Sequence, residues 1–481
     1  PMSMTDADPP RITIDPPIAA WRLGEPSADQ RENRAQLVPL LDSLGLHTTP
    51  FDPTHPIIAT GHQAWFWHPG ILAKDLAMAA ACERLDAQAI HLVVDHIANP
   101  ALTIDVPVLR GEALHVEPLR LGDENLAVGT GRRPPLSRVQ LAEAIYRLRE
   151  NAVGEIAVDL DRLLDVPPGF DALRSLSDSI TAMQLHAVQA WCPNVFVLRT
   201  SQLARLASFQ TLAKRMLHDA RACVAAYNDA VGEVPAAGVA PLLVERDRVE
   251  LPLWVIETAG TLGRVFADLA DATPMLTRED GTPIKLTTTD GVEHLPLAPK
   301  ALTLTAFMRS TMCDLFIHGT GGGVYEQVTE HWWDAWTAQP LAPLTVVSAD
   351  VTLNFTVPVA TKADLQRAVW FRHHLPHNID RYMRVPSELD PALLAEKRAL
   401  LQGDPAAHDK PTRRAARRRL RAINRILTQK HHGLIDAAEA SVVAARQGVA
   451  NASAAARRDW CFQLHPPEKL AALRQAISDS A

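Results

Sequence analysis

The stretch that most constrains this chain is residues 56–95, PIIATGHQAWFWHPGILAKDLAMAAACERLDAQAIHLVVD, which reads as one strand–helix–strand unit. Ile57, Ile58 and Ala59 form an apolar run too short for a helix. Gly61, His62 and Gln63 break that run as a polar loop, and Pro69-Gly70 marks a turn before a helical stretch. Over 71–85 the apolar positions Ile71, Leu72, Leu76, Met78, Ala79, Cys82 and Leu85 cover more than one face, as a helix packed on a sheet requires. A second apolar run over 89–94 ends in Asp95-His96. Ligands of open parallel sheets bind outside the carboxyl ends of the strands, so the Gly61-His62-Gln63 loop and Asp95-His96 are expected to lie close together. Donors at the start of the intervening helix would favour an anion there.

The remainder of the chain extends this unit. Residues 1–15 are polar and proline-rich, a loose arm. A helix is expected over 27–44, capped by Ser27 and stopped by Gly45, with Pro39 kinking or splitting it. Alternation at Ile104, Val106 and Val108 predicts a strand or two beside the sheet, followed by a Gly/Arg/Pro loop over 122–137. Arg132 and Arg133, with Arg138 just beyond, are candidates there for an anionic substrate. Helices over 141–191 are separated by Val166-Pro167-Pro168-Gly169, and a strand over 194–199 runs through Thr200-Ser201 into a long helical region. Residues 241–286 change to short strands with charged turns, Asp280-Gly281 the strongest, and read as an antiparallel insertion.

Beyond a helical pattern over 301–315, Leu315-Phe316-Ile317-His318 enters Gly319-Thr320-Gly321-Gly322-Gly323 and then a helix with Tyr325, Val328, Trp332 and Trp336. This is a second strand, glycine loop and helix, and residues 344–348 supply one more buried strand. From 361 onward the pattern is nearly all helical, with 386–401 and 413–450 read as two long helices joined by GDPAAHDKP. The reading divides the chain into an N-terminal arm and helix (1–50), a first core part (51–240), an antiparallel β insertion (241–300), a second core part (301–360), and a helical coiled-coil arm with a C-terminal helix (361–481).

Composition narrows the class. With 47% hydrophobic and 21% charged residues and a net charge of -7, the chain reads as an ordinary globular protein with no global attraction to nucleic acid. Cys82, Cys192, Cys223, Cys313 and Cys461 lack CxxC spacing and point to reduced thiols. No secretory signal and no membrane-spanning apolar run are read, so a cytoplasmic location is the default expectation.

The order of motifs resembles that of the bacillithiol synthase family, the cysteine-adding enzymes. The Thr60-Gly61-His62-Gln63 loop, the Pro69-Gly70 turn, Lys74 and Asp95-His96 are similar to the start of that family. Leu302 to Ser310, FIHGTGGGVYE from Phe316 to Glu326, Val351-Thr352-Leu353 and the helical hairpin beyond are similar to its later part. The likeness spans roughly 50–450, with the middle third poorly matched. It implies an α/β fold with a Rossmann-like (HUP-type) nucleotide-binding core, a connective insertion, and a coiled-coil arm that makes a homodimer. The implied activity is an adenine-nucleotide-dependent ligase using ATP or ADP. It would join an amino acid, cysteine in the family, to an amine such as that of a glucosaminyl malate. The alternative is a noncatalytic nucleotide-binding or sensing protein on the same scaffold.

Joining a carboxylate to an amine needs an activated carboxylate, donors around phosphate, a cation and a base. His62 is a candidate phosphate donor and catalytic residue, and Asp95 and His96 are candidates for amine binding and proton transfer. Gly61, Gln63 and Lys74 join His62 on the nucleotide side. His318, Gly319, Gly321, Gly322 and Gly323 are expected to cradle phosphate or adenine, because glycines permit φ > 0 and close backbone approach. His62, His68, His91 and His96 lack the spacing of a metal site. Trp65, Phe66 and Trp67 read as packing or a pocket wall. Residues 410–430 hold nine Lys or Arg and no acid. RNA binding is one reading of that run, but the stripe Leu420, Ile423, Leu427, Leu434 favours helix packing. Together with Leu393, Leu394, Leu400 and Leu401 it is expected to pair with a second copy, the arginines staying solvated or meeting Glu388 and Glu396.

Overall fold

The main sheet forms where the sequence is most apolar. Ile57–Gln63 (β2), Gln88–Val94 (β3), Val195–Arg199 (β7), Leu315–His318 (β14) and Leu344–Asp350 (β15) run parallel in the order β15-β14-β2-β3-β7. Arg11–Asp15 (β1) closes one edge antiparallel to β15, so the end of the expected N-terminal arm is an edge strand. Asp314 fixes the entry to the sheet: its carboxylate accepts from Ile57 N (2.7 Å) and from the buried Arg34 guanidinium (2.8 Å). The computed structural model describes residues 9–24, 26–289, 291–382, 389–403 and 409–481. Their chain is mixed α/β.

Strand alternation sends residues to two apolar layers. Ile57, Ala59, Ile90, Leu92 and Phe316 face Ala207–His218 (α5), Ala220–Glu233 (α6), Ala301–Phe307 (α7) and Thr320–Thr337 (α8). Ile58, Val93, Ile317 and Val347 face Pro69–Leu85 (α2), Leu176–Ala187 (α4) and Pro467–Ser478 (α13). With helices on both faces, the strands are buried on both sides and read as continuous apolar runs.

Local chemistry corrects several expectations. Gly61-His62-Gln63 is not a loop: it continues β2, paired with Leu92, Val93 and Val94. The first helix is only Ala28–Ala35 (α1), closed by a Ser27/Gln30 capping box, and the chain after it turns ahead of Pro39. The 103–119 region does not lie beside the main sheet. Thr103–Arg110 (β4) and Ala113–Arg120 (β5) join Glu155–Ile156 (β6) in a sheet of their own, over a third apolar cluster that includes Arg138–Asn151 (α3). The insertion forms as expected: Arg248–Ile256 (β8), Leu262–Asp268 (β9), Met275–Thr277 (β10) and Leu297–Pro299 (β13) make an antiparallel sheet, and Thr287–Thr289 (β11) pairs with Val292–His294 (β12). Its Asp280-Gly281 turn has Gly281 at φ 84.

The described residues divide into two compact units: those within 9–107, 117–353 and 458–481 form the larger, and those within 108–116 and 354–457 the smaller. Among its described residues the smaller unit is nearly all helical from 362, as read: Lys362–Tyr382 (α9), Pro391–Gln402 (α10), Lys410–Lys430 (α11) and His432–Ala455 (α12), the last two replacing the single helix read over 413–450. α9 is kinked at Asn378, just after Pro376. The chain breaks between α11 and α12 at His431, which lies outside helical geometry. Asn451 pins the β4–β5 turn to this unit, accepting from Leu114 N and donating to the carbonyls of Glu112 and Pro358.

Ile423 and Leu427, expected to face a second copy, are fully buried against Leu375, Ile379 and Leu389 of the same chain. The stripe's most apolar positions are therefore already covered. Arg419 meets Glu396 at 2.6 and 2.7 Å as expected, and Glu388 lies outside the described residues. Among the described residues no helix is long and apolar enough to cross a membrane. Truncating Leu427 to Ala should cost about 2–5 kcal/mol of the smaller unit's stability, visible as faster proteolysis within 362–455. Unchanged proteolysis with a change in sedimentation would restore the intermolecular role.

Candidate functional site

At the carboxyl edge of the sheet, β2 lies between β3 and β14, and the chain order of the strands reverses there. The two ladders are close. A Cβ at Gly61 would lie 2.6 Å from Leu92 Cβ and 2.7 Å from the Leu92 carbonyl oxygen, so only glycine fits. Across β2, Thr60 Oγ1 donates to the Ile317 carbonyl (2.9 Å).

The helix after β2 does not offer the anion-binding donors expected of it. His68 caps α2, its Nδ1 accepting from Gly70 N at 3.0 Å, while Pro69 at the first helical position has no N–H and Ile71 N returns to the His68 carbonyl. Helix α8 is different. Gly319 caps it without any side-chain bond, which leaves first-turn amides without intrahelical partners. Gly319, Thr320, Gly321 and Gly322 share one cavity of about 500 Å³ with Gly61, His62, Gln63 and Lys74. The two glycine-bearing segments are thus brought together.

The glycines at α8 work differently from expectation. They are helical from Thr320 on, and none has positive φ. Close approach is what selects them. A Cβ on Gly322 would sit 1.6 Å from His318 Nδ1 and one on Gly323 2.6 Å from Val346 Cγ2, whereas one on Gly321 would meet no atom within 4 Å. Gly323 is therefore a helix-to-sheet packing residue outside the cavity lining, and Gly321 faces open space.

The site's electrostatics come from burial. Lys74 is 3% exposed and donates to the Gly61 carbonyl at 2.6 Å. Its sequence neighbour Asp75 is occupied by His91 at 2.7 Å, and burial brings the Lys74 ammonium down to about 8 against the pull of Asp75. The imidazoles around it are held neutral. Burial, then the Lys74 charge, holds His62 well below its ordinary range. Burial brings His68 to about 4 and His318 to about 3, with Lys74 adding to both. His62 stacks at a tilt on Trp65, ring centres 5.0 Å apart, while Trp67 is core packing against His91.

His318 does not extend into the cavity as a direct ligand. Its Nδ1 accepts from Gly319 N at 3.2 Å, and its Nε2 lies 2.8 Å from the Tyr325 hydroxyl. A neutral ring accepting at Nδ1 carries its proton on Nε2, a tautomer assigned from these contacts. The Tyr325 oxygen then accepts, and its own proton is directed elsewhere in the cavity it lines. Tyr325 and Arg458 are lining residues that the sequence reading missed. Arg458 sits 2.6 Å from Asp350, more than a hundred residues away in sequence, and no local pattern signals it. The His68 cap was legible in principle, since it directly precedes a Pro at a helix start.

Asp95 and His96 are adjacent in sequence but differently placed. Asp95, 2% exposed, accepts from Ser201 N (2.8 Å), Ser201 Oγ (2.6 Å) and Thr200 Oγ1 (3.2 Å). It lines a second cavity of about 780 Å³, not the first. His96 lines both cavities. Its Nδ1 is 2.7 Å from Thr200 Oγ1 and its buried Nε2 has no hydrogen-bond partner in this structure. Burial holds its ring below the ordinary range, with Asp95 and the nearby Pro299 carbonyl opposing. Of the loop arginines, Arg132 lines the larger cavity. Arg133 is committed to Glu124 (2.6 Å) and the Asn99 carbonyl, and Arg138 to the carbonyls of Val166 and Pro167.

No protein-family model matches the sequence, and no curated protein matches it.

The neutral histidines set an acid dependence. His68 and His465 (also brought to about 4 by burial) and His318 bind protons less readily folded than unfolded. The unfolded chain therefore gains protons as pH falls below 6.5, and stability falls with it. At pH 4.5 each ring should account for a loss of roughly 2 kcal/mol relative to pH 7. In urea unfolding, His318→Asn should lose less stability between these pH values than wild type by that amount. An identical loss would mean that His318 is not held neutral.

Proposed function

We propose that the protein is an adenine-nucleotide-dependent ligase on a Rossmann-like (HUP-type) core, diverged from the bacillithiol synthase type, which joins an amino acid to the amine of a small molecule such as an amino sugar. The observation that carries this reading is the cavity between β2 and β14. It combines the first-turn amides of α8, the buried Lys74 ammonium and apolar walls at Leu92, Leu304 and Phe316, at the place where open α/β sheets receive nucleotides.

The bound nucleotide, ATP or ADP, would supply activation of a carboxylate. The amides of Thr320, Gly321 and Gly322 and the Lys74 ammonium hold phosphate oxygens. The Tyr325 hydroxyl, oriented by His318, donates to the same anion. His62, neutral and stacked on Trp65, contributes a ring N–H or a wall without competing as a charge. Apolar walls keep water from the base and sugar.

The second cavity receives the amine. Asp95 supplies negative charge at its rim but is already bonded to Thr200 and Ser201, so its part is to hold the β7 end and steady an ammonium rather than to exchange protons. His96 stands between the cavities. The Thr200 hydroxyl has acceptors at Val93 O and Asp95 Oδ1, both at 3.2 Å, so it accepts from His96 Nδ1–H and leaves the Nε2 lone pair to take the proton that the amine loses on bond formation.

The experiment is a nucleotide-binding titration followed by a turnover assay. The assay reads phosphate or pyrophosphate release with cysteine and other amino acids against a panel of amino sugars. Gly321→Val should abolish ATP binding while the thermal transition stays nearly unmoved, because Gly321 lines the cavity and a Cβ there meets no protein atom within 4 Å. Retained binding would make the glycines a helix start only. Binding without turnover for any substrate pair would make the protein a nucleotide sensor on the same scaffold.

A further inference from the structure

The smaller unit carries a feature the ligase reading does not use. Helix α11 is basic over its whole length, and its packing sorts those charges. Arg419 is taken by Glu396, and Arg413 has interactions of its own. Arg414, Arg417, Arg418, Arg421 and Arg425 are exposed, and none forms an ion pair or hydrogen bond among the described residues. At 3.6 residues per turn these five fall within an arc of about 100°, opposite the buried Ile423 and Leu427, and extend over about 17 Å. Of the two expected fates of these arginines, Arg419 meets a carboxylate and this row stays solvated.

The row also has a composition. All five are Arg, whose planar fork binds phosphate bidentately, and none is Lys. Between and beside them stand Ala415, Ala416 and Ala422, with no aromatic ring on the outward face to stack on a base. The chain as a whole carries a net charge of -7, so this is a segregated patch and not a share of a basic protein. Five exposed guanidinium groups along one helix face repel one another and are neutralised by a linear array of phosphates. We propose that the outward face of α11 is a sequence-independent binding surface for the phosphodiester backbone of a nucleic acid duplex. This is separate from the ligase reading and does not depend on it.

The test uses the full-length protein and fluorescence anisotropy with two labelled 20-base-pair duplexes of unrelated sequence. Both should bind alike, with log affinity falling against log salt at a slope of about -4.5 for five neutralised phosphates, or about 500-fold between 50 and 200 mM salt. The double variant R418Q/R421Q, at two solvated positions, should keep the wild-type circular dichroism and lose about two units of that slope. Excess ATP should leave binding unchanged. Absence of binding at 50 mM salt, an unchanged slope in the double variant, or displacement by ATP would each overturn the proposal. Equal binding of poly-glutamate would also overturn it, because the surface would then recognise acidic protein and not phosphate.

Discussion

The candidate site depends on β2 being held between two parallel neighbours. Its ladder with β3 runs the full length of the strand, through Gly61, His62 and Gln63. Its ladder with β14 ends at Thr60 and Ile317. The difference opens a gap at the carboxyl edge on the β14 side, and the cavity occupies it. The pairing on the β3 side is so tight that Gly61 can carry no side chain, which leaves its carbonyl for Lys74. Strand pairing thus both creates the space and directs the buried Lys74 ammonium toward it.

Placing Lys74 there has an electrostatic cost that its surroundings only partly offset. Its neighbour Asp75 draws on the ammonium but is bonded to His91, and Lys74 has no ion pair in contact among the described residues. His62, His68 and His318 are held neutral and add no charge. A buried charge without an ion pair in contact is a poor structural device. It is a suitable arrangement for a site whose counter-ion arrives with a ligand, and the uncapped start of α8 on the same cavity has the matching polarity.

Much of this was legible in the sequence, and the failures have definable causes. The strand–helix–strand unit, the antiparallel insertion, and the meeting of the Gly61 and Gly319 segments follow from apolar period and turn residues. The GHQ segment read as a loop because polar residues break an apolar run, yet strand pairing at a sheet's end tolerates them. The α8 glycines read as a loop before the helix, because a glycine chosen for contact with His318 or Val346 looks like one chosen for φ > 0 or for approach to a ligand. Asp95 follows the carboxyl end of β3 as read but lines the other cavity, and its bonds to Thr200 and Ser201, over a hundred residues on, were invisible. The 413–450 stretch read as one helix because its break at His431 lacks a breaker residue. Its apolar stripe could not reveal whether its own chain or another covers it.

The measurement closest to the central claim is calorimetric titration of ATP at pH 8 in two buffers of different ionisation enthalpy. With Lys74 near 8 in the free protein, about half of the molecules lack its proton, and phosphate binding beside it should draw up to about half a proton from solution. The account predicts that this uptake is present in wild type and absent in Lys74→Met. No binding at millimolar ATP, or binding with the same proton balance in both proteins, would contradict it.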